Sequence, residues 1–200
     1  MSVMGMSLLK EIVQKEYLTH PGVVLRKLRK EIILSLGQKG VSGEQRDGMD
    51  IALIEINHEE RQVQYAGAYN SLYLVRTRDR NAPDIEGMKV MEGEGESRYV
   101  LYDIPADKMP IAYYERMDKF VTQMFSYQPG DQLYLFTDGY ADQFGGEHGK
   151  KFKYKPFKRL ILANAAMDMQ DQNQVLANTL DTWMESFDQV DDICMMGVKL

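Results

Sequence analysis

The chain's 200 residues are 44% hydrophobic, enough for one sizeable core, so a single domain over residues 1–200 is the expected organisation. A formal charge of −6 argues against a nucleic-acid partner, because neutralising phosphates is the main source of such affinity. No run approaches the roughly 18 uninterrupted apolar residues of a membrane span, and no basic stretch followed by an apolar segment opens the chain, so neither a span nor a secretory leader is expected.

Leu8, Leu9, Ile12 and Val13 recur at helical spacing. A second helix opens at Pro21, runs through Val24, Leu25, Leu28 and Ile32, and stops at Gly37. These helices should pair or cover a sheet. "DIALIEIN" (residues 50–57), "QVQYAGAYN" (62–70) and "SLYLVRT" (71–77) read as successive strands, whose short connections imply antiparallel neighbours. From 78 to 98 charge and glycine dominate, as in "EGMKVMEGEGESR", and a surface excursion is expected. Strands follow at 99–104, 120–127 and 132–137, the last two joined by a turn at Pro129-Gly130-Asp131. Helices are predicted around 157–166 and 174–187; in the second, Leu176, Leu180, Trp183, Met184 and Phe187 form an apolar stripe read as core. A strand "ICMMGVKL" closes the chain. Segregated helices and mostly antiparallel strands make an α+β layered domain.

Lone Cys194 excludes an internal disulfide and suits a reducing, cytoplasmic compartment, while His20, His58 and His148 lack any zinc-like spacing. The carboxylates are more informative. In "QLYLFTDGYADQFGG", Asp138-Gly139 after a strand is a common turn signal, with glycine supplying positive φ. Equally, the end of a buried strand holds a carboxylate rigidly where a hard divalent cation could use it. In "QVDDICMMGVKL", Asp191 and Asp192 stand at the entrance of the last strand. Adjacent carboxylates leading into a buried strand lose hydration and call for a positive group; a surface-exposed pair is the other reading.

Taken together, "GDQLYLFTDGYADQFGG", the terminal "QVDDICMMGVKL", "DGMDIALIEIN", "QYAGAYNSLYLVR" and "KKFKYKPFKRLIL" resemble the SpoIIE-like branch of the PPM (protein phosphatase 2C-type) serine/threonine phosphatases, over nearly the whole chain. The resemblance implies an antiparallel β-sandwich flanked by helices (α-β-β-α) and two Mn²⁺ or Mg²⁺ ions held by aspartates at one end. It also implies hydrolysis of phosphoserine or phosphothreonine in a protein substrate by metal-activated water, in bacterial signalling. Asp138 and Asp191 are then metal-binding and catalytic, Gly139 lets the backbone turn beside the ion, and Asp142 is an accessory metal residue. Asp192 is the less suited of its pair to touch metal.

One departure matters. The branch carries an Asp-x-Thr-Gly-His-Gly turn, with the aspartate that bridges both ions, ahead of the helix that begins here "MSVMGMSLLKEIV", and this sequence has no counterpart. Asp47-Gly48 lies at a strand entrance and is expected to be structural. The chain is therefore expected to be an N-terminally incomplete domain with weakened metal affinity and poor hydrolysis of its own even with Mn²⁺, and to self-associate through exposed sheet edges and the Met-rich start. A noncatalytic regulatory or partner-binding module on the same fold is the alternative. The basic segment "GKKFKYKPFKR" (149–159) could stack bases on Phe152, Tyr154 and Phe157. Aromatics turned inward beneath solvated lysines is the favoured reading, and docking of a phosphorylated protein would use the same residues.

Overall fold

Two helices open the chain, α1 (Ser2–Lys15) and α2 (Pro21–Leu36). Pro21 sits in the first turn of α2, where its missing N–H costs nothing. At the other end Gly37 takes φ 62°, its N–H donating to Leu34 O while Gln38 N–H donates to Ile33 O. That paired closure needs a left-handed residue, which glycine adopts without a Cβ penalty. Val24, Leu25, Leu28 and Ile32 are fully buried and pack with Ile12, Ala66 and Ala68. Each such aliphatic side chain contributes about 1.5–3 kcal/mol on burial.

The computed structural model describes residues 2–15, 19–41 and 47–200. The strands are β1 (Ile51–Asn57), β2 (Gln62–Ala68), β3 (Leu72–Thr77), β4 (Lys89–Glu92), β5 (Tyr99–Ile104), β6 (Gln123–Ser126), β7 (Gln132–Phe136), β8 (Phe144–Gly145), β9 (Lys150–Lys151) and β10 (Met195–Lys199). Helices α3 (Gly139–Asp142), α4 (Tyr154–Asn164) and α5 (Met169–Met184) follow β7. The chain divides into two compact units, one of Met1–Ser71, Pro83–Ile85 and Pro105–Tyr127, the other of Leu72–Ala82, Glu86–Ile104 and Gln128–Leu200. The first holds α1, α2 and an antiparallel sheet ordered β1-β2-β6.

The second unit carries the five-stranded antiparallel sheet β10-β7-β3-β5-β4 with α4 and α5. Its core is aromatic. Tyr73 and Phe136 lie 4.4 Å apart between ring centroids, Phe136 and Phe157 5.3 Å, and Tyr140 stacks on Phe157 at 4.7 Å. At the start of β7 the Asp131 carboxylate receives Arg76 Nη2 at 2.6 Å and Nε at 3.0 Å, and also the Gln128 N–H at 2.8 Å. Both side chains of this ion pair are about 98% buried or more, Arg76 at 2% exposure and Asp131 at 1%.

Several expectations need correction. Residues 78–98 are not simply a surface excursion, since β4 lies within them and pairs with β5. It is an edge strand with Lys89, Val90 and Glu92 exposed, so no apolar alternation marks it. Strands β2 and β3, though close in sequence, are not neighbours; β2 pairs with β1 and β6, β3 with β5 and β7. The 120–127 strand shortens to β6, and the last helix begins earlier than expected, where Asp168 accepts the Asp171 N–H. Phe187 lies beyond that helix and is 41% exposed, so it is not part of the core stripe.

Lys153, just ahead of α4, holds φ 73° and ψ 154°. Side chains clash with the backbone there, and such positions cost about 1–3 kcal/mol for residues other than glycine. Lys153→Gly should therefore raise the unfolding free energy by about 1 kcal/mol, after glycine's own entropy cost in the unfolded chain. Urea titration of the two proteins reads this directly; a loss of stability would mean that the lysine side chain contributes more than its backbone costs.

Candidate functional site

The site grows from the end of β7. After Phe136 the chain continues through Thr137 and Asp138 into α3, whose Tyr140 is buried in the aromatic core and donates its hydroxyl to Leu176 O at 2.9 Å. Anchoring Tyr140 inward leaves Asp138 and Asp142, four residues apart on one turn, partly exposed. Asp138 does not cap α3 with its side chain and keeps right-handed helical φ and ψ of −69° and −18°.

Antiparallel pairing of β7 with β10 brings the residues before Met195 alongside those after Phe136. Thr137 fastens the two segments: its N–H donates to Cys194 O at 3.0 Å, its hydroxyl donates to Asp192 O at 2.7 Å, and the Cys194 N–H donates to that hydroxyl at 2.9 Å. Gly139 is needed for contact and not for turn conformation. A Cβ on it would lie 2.5 Å from Asp192 O, and its φ is not positive. Gly139→Ala should destabilise the fold by about 1–3 kcal/mol by pushing the Asp192 backbone away; equal stability in a urea titration would show that the segment yields freely.

Gln143, fully buried, organises the approach to Asp191. Its amide N–H donates to Asp188 O at 2.9 Å, its side-chain oxygen accepts the Val190 N–H at 3.3 Å, and its backbone carbonyl accepts from Trp183 Nε1 and from the Phe152 N–H. Asp191 then accepts the Asp192 N–H on its own carboxylate at 2.7 Å.

Charge ties these groups together. Burial pushes the Asp138 carboxyl above its usual pKa, and the nearby carboxylates of Asp191 and Asp142 push it the same way. Lys151 opposes them, and its ammonium lies 2.9 Å from Asp142. Asp138, Asp191 and Asp142 thus share one end of the β7/β10 pair with one cationic side chain beside them. Among the described residues no group of three or more His, Cys, Asp or Glu is placed so that it could hold a metal ion.

The family model for stage II sporulation protein E (SpoIIE) matches residues 1–200. The chain belongs to the SpoIIE family. Its fold is the one found in PPM phosphatases, an α+β arrangement of multi-stranded antiparallel sheets flanked by helices, as three solved structures illustrate. The SiaA-PP2C domain of Pseudomonas aeruginosa superposes with a TM-score of 0.76 at 22% identity, over 100% of this chain and 67% of that one. The RsbU and RsbW domains of Rv1364c from Mycobacterium tuberculosis give 0.63 at 14% identity, over 98% of this chain and 46% of that one. RsbX in complex with magnesium gives 0.54 at 13% identity, over 97% of this chain and 71% of that one. No curated protein sequence matches the chain.

Within this SpoIIE-family chain the two aspartates singled out from sequence, Asp138 and Asp191, meet at one sheet end, and Asp142 lies near them with its carboxylate on Lys151. The argument that led to Asp191 and Asp192 needs correction, because β10 is an edge strand with Met196 59% exposed and both aspartates are exposed. What places them is pairing with β7, not burial. The Asp47 backbone carbonyl accepts from Gln38 Nε2 at 2.7 Å. Thr137, Gln143 and Lys151 were not anticipated as parts of the site. For Lys151 the basic run beside TDG was a signal, whereas nothing local marks Gln143.

Proposed function

We propose that this chain belongs to a metal-dependent protein serine/threonine phosphatase domain acting on phosphoserine or phosphothreonine, with Asp138 and Asp191 as its metal-binding, catalytic carboxylates. The observation that carries the reading is the convergence of Asp138 and Asp191 at one end of the β7/β10 pair. A donor set of carboxylates suits a hard ion such as Mn²⁺ or Mg²⁺, and the Asp138 carboxyl is raised by burial first and then by the neighbouring carboxylates of Asp191 and Asp142. Carboxylate oxygens suit the donor chemistry of such an ion, and among the described residues no group of three or more His, Cys, Asp or Glu is placed to hold even one. When bound, the ion supplies Lewis-acid screening of the phosphoryl oxygens and lowers the pKa of a water.

The chain's own contribution is placement. Thr137 fixes the spacing of the two aspartate-bearing segments, Gln143 orders residues 188–190 ahead of Asp191, and Gly139 lets the Asp192 backbone close on α3. Asp142, an accessory position, is neutralised by Lys151. A cytoplasmic setting accords with the lone Cys194, and among the described residues no helix is long and apolar enough to cross a membrane.

The test is hydrolysis of p-nitrophenyl phosphate and of a phosphoserine peptide with and without Mn²⁺, accompanied by calorimetric titration of Mn²⁺. The second reading, a noncatalytic partner-binding module, is favoured by the missing three-donor cluster. It holds if Mn²⁺ neither binds nor supports turnover. Self-association belongs to either reading: Val3, Met6 and Val13 are exposed along α1 at 78%, 63% and 38%. A dimer is expected in light scattering, and a monomer at all practical concentrations would refute it.

A further inference from the structure

Six of the chain's 24 basic residues fall within residues 149–159, a segment with no acidic residue, in a protein of net charge −6. Three of the six are neutralised: Lys151 by Asp142 at 2.9 Å, Lys158 by Asp103 at 2.6 Å and Arg159 by Glu94 at 2.9 Å. Lys150, Lys153 and Lys155 are exposed, and no ion pair among the described residues engages them. Phe152 and Phe157 point into the core, so the segment is pinned from beneath. It is also pinned to the site. The Phe152 N–H donates to Gln143 O at 2.9 Å and the Lys153 N–H to Ala141 O at 2.6 Å, directly behind Asp138 and Asp142.

We propose that the turn carrying Lys150, Lys153 and Lys155 is a docking rim for an acidic stretch of the phosphorylated polypeptide that reaches Asp138, an inference that rests on the phosphatase reading. The segment is tied to the end of β7 through the Lys153 N–H on Ala141 and the Lys151 ammonium on Asp142, and charges within a Debye length, about 8–10 Å, still act on one another in solution. Acidic side chains beside the phosphorylated residue would meet Lys150, Lys153 and Lys155 there, and the resulting attraction raises encounter rate and selectivity more than it adds rigid contacts. A nucleic acid fits less well. Two of the segment's three aromatics are core residues, leaving only Tyr154, 43% exposed, to stack a base, and a long polyanion also meets the chain's net negative charge.

Fluorescence anisotropy at low salt tests this with three labelled probes: a phosphoserine peptide flanked by Asp and Glu, the same peptide flanked by Asn and Gln, and a single-stranded oligodeoxynucleotide. The acidic peptide should bind about tenfold more tightly than the neutral one, and the advantage should shrink as salt rises. It should vanish in the variant Lys150→Gln/Lys153→Gly/Lys155→Gln, in which glycine suits the backbone at 153, and persist in Lys150→Arg/Lys155→Arg. Equal binding of the two peptides, an undiminished preference in the first variant, or tighter binding of the oligonucleotide through the same lysines would overturn the proposal. Hydrolysis of p-nitrophenyl phosphate is read separately. Lysine-dependent preference with neither Mn²⁺ binding nor hydrolysis leaves the docking rim standing and removes the phosphatase reading; Mn²⁺-dependent hydrolysis without the preference does the reverse.

Discussion

Asp131→Ala should lower the unfolding free energy by about 3–5 kcal/mol, enough to leave a large part of the chain unfolded at 37 °C. The carboxylate accepts from Arg76 Nε and Nη2 and from the Gln128 N–H, and all of these lose their partner at once. The guanidinium left behind is 2% exposed, with Nη1 donating to the Asn81 carbonyl at 2.6 Å. Because both side chains are almost fully buried, the cost is that of a buried charge stripped of its carboxylate and not of one hydrogen bond. A double variant, Asp131→Ala/Arg76→Leu, should recover most of the loss, since removing both charges removes the penalty. Urea denaturation of the single and double variants measures this; equal stability of the two would show that packing, and not charge, sets the effect.

The second large effect is at Asp138. Asp138→Asn should weaken Mn²⁺ binding by about 100-fold or more and bring any Mn²⁺-dependent hydrolysis of p-nitrophenyl phosphate to background, since even residues that only orient a metal ligand are worth about 10–100-fold. The same substitution should stabilise the metal-free fold at neutral pH. A carboxyl whose folded pKa is raised favours the folded state when protonated. The stability it contributes is present below its ordinary pKa of 3.8 and is lost as pH rises through the raised value. Asn mimics the protonated group at every pH. The variant's advantage should accordingly appear above that window and disappear near pH 3, where Asp138 is protonated in both states. Full Mn²⁺ affinity in Asp138→Asn would remove Asp138 from the site; a stability gain that persists unchanged at pH 3 would mean that charge is not its origin.

Local chemistry made some elements readable and hid others. Helix α2 was legible because proline, an apolar repeat and a terminal glycine mark its start, face and end, and each acts within a few residues. β4 was hidden because an edge strand with charged, exposed side chains has no alternation to detect. Which strands share a sheet is a nonlocal matter, and the short connection from β2 to β3 misled for that reason. Asp138 was legible as a carboxylate at the end of an apolar run. Asp131 read only as a turn residue, because its partner Arg76 lies on another strand. Gln143 was invisible for the same reason, since its worth comes from backbone groups at 188 and 190.

The clamp at Thr137 has a practical consequence. Two of its hydrogen bonds hold the Cys194 N–H and carbonyl and a third holds the Asp192 carbonyl, while the cysteine itself is exposed and is the chain's lone thiol. A fluorophore or spin label attached there would ride on a fixed backbone position beside Asp191 and Asp192, in a protein that needs no cysteine added or removed. Changes in its environment on adding a cation or a phosphopeptide would then report ordering of that segment in real time, independently of any turnover.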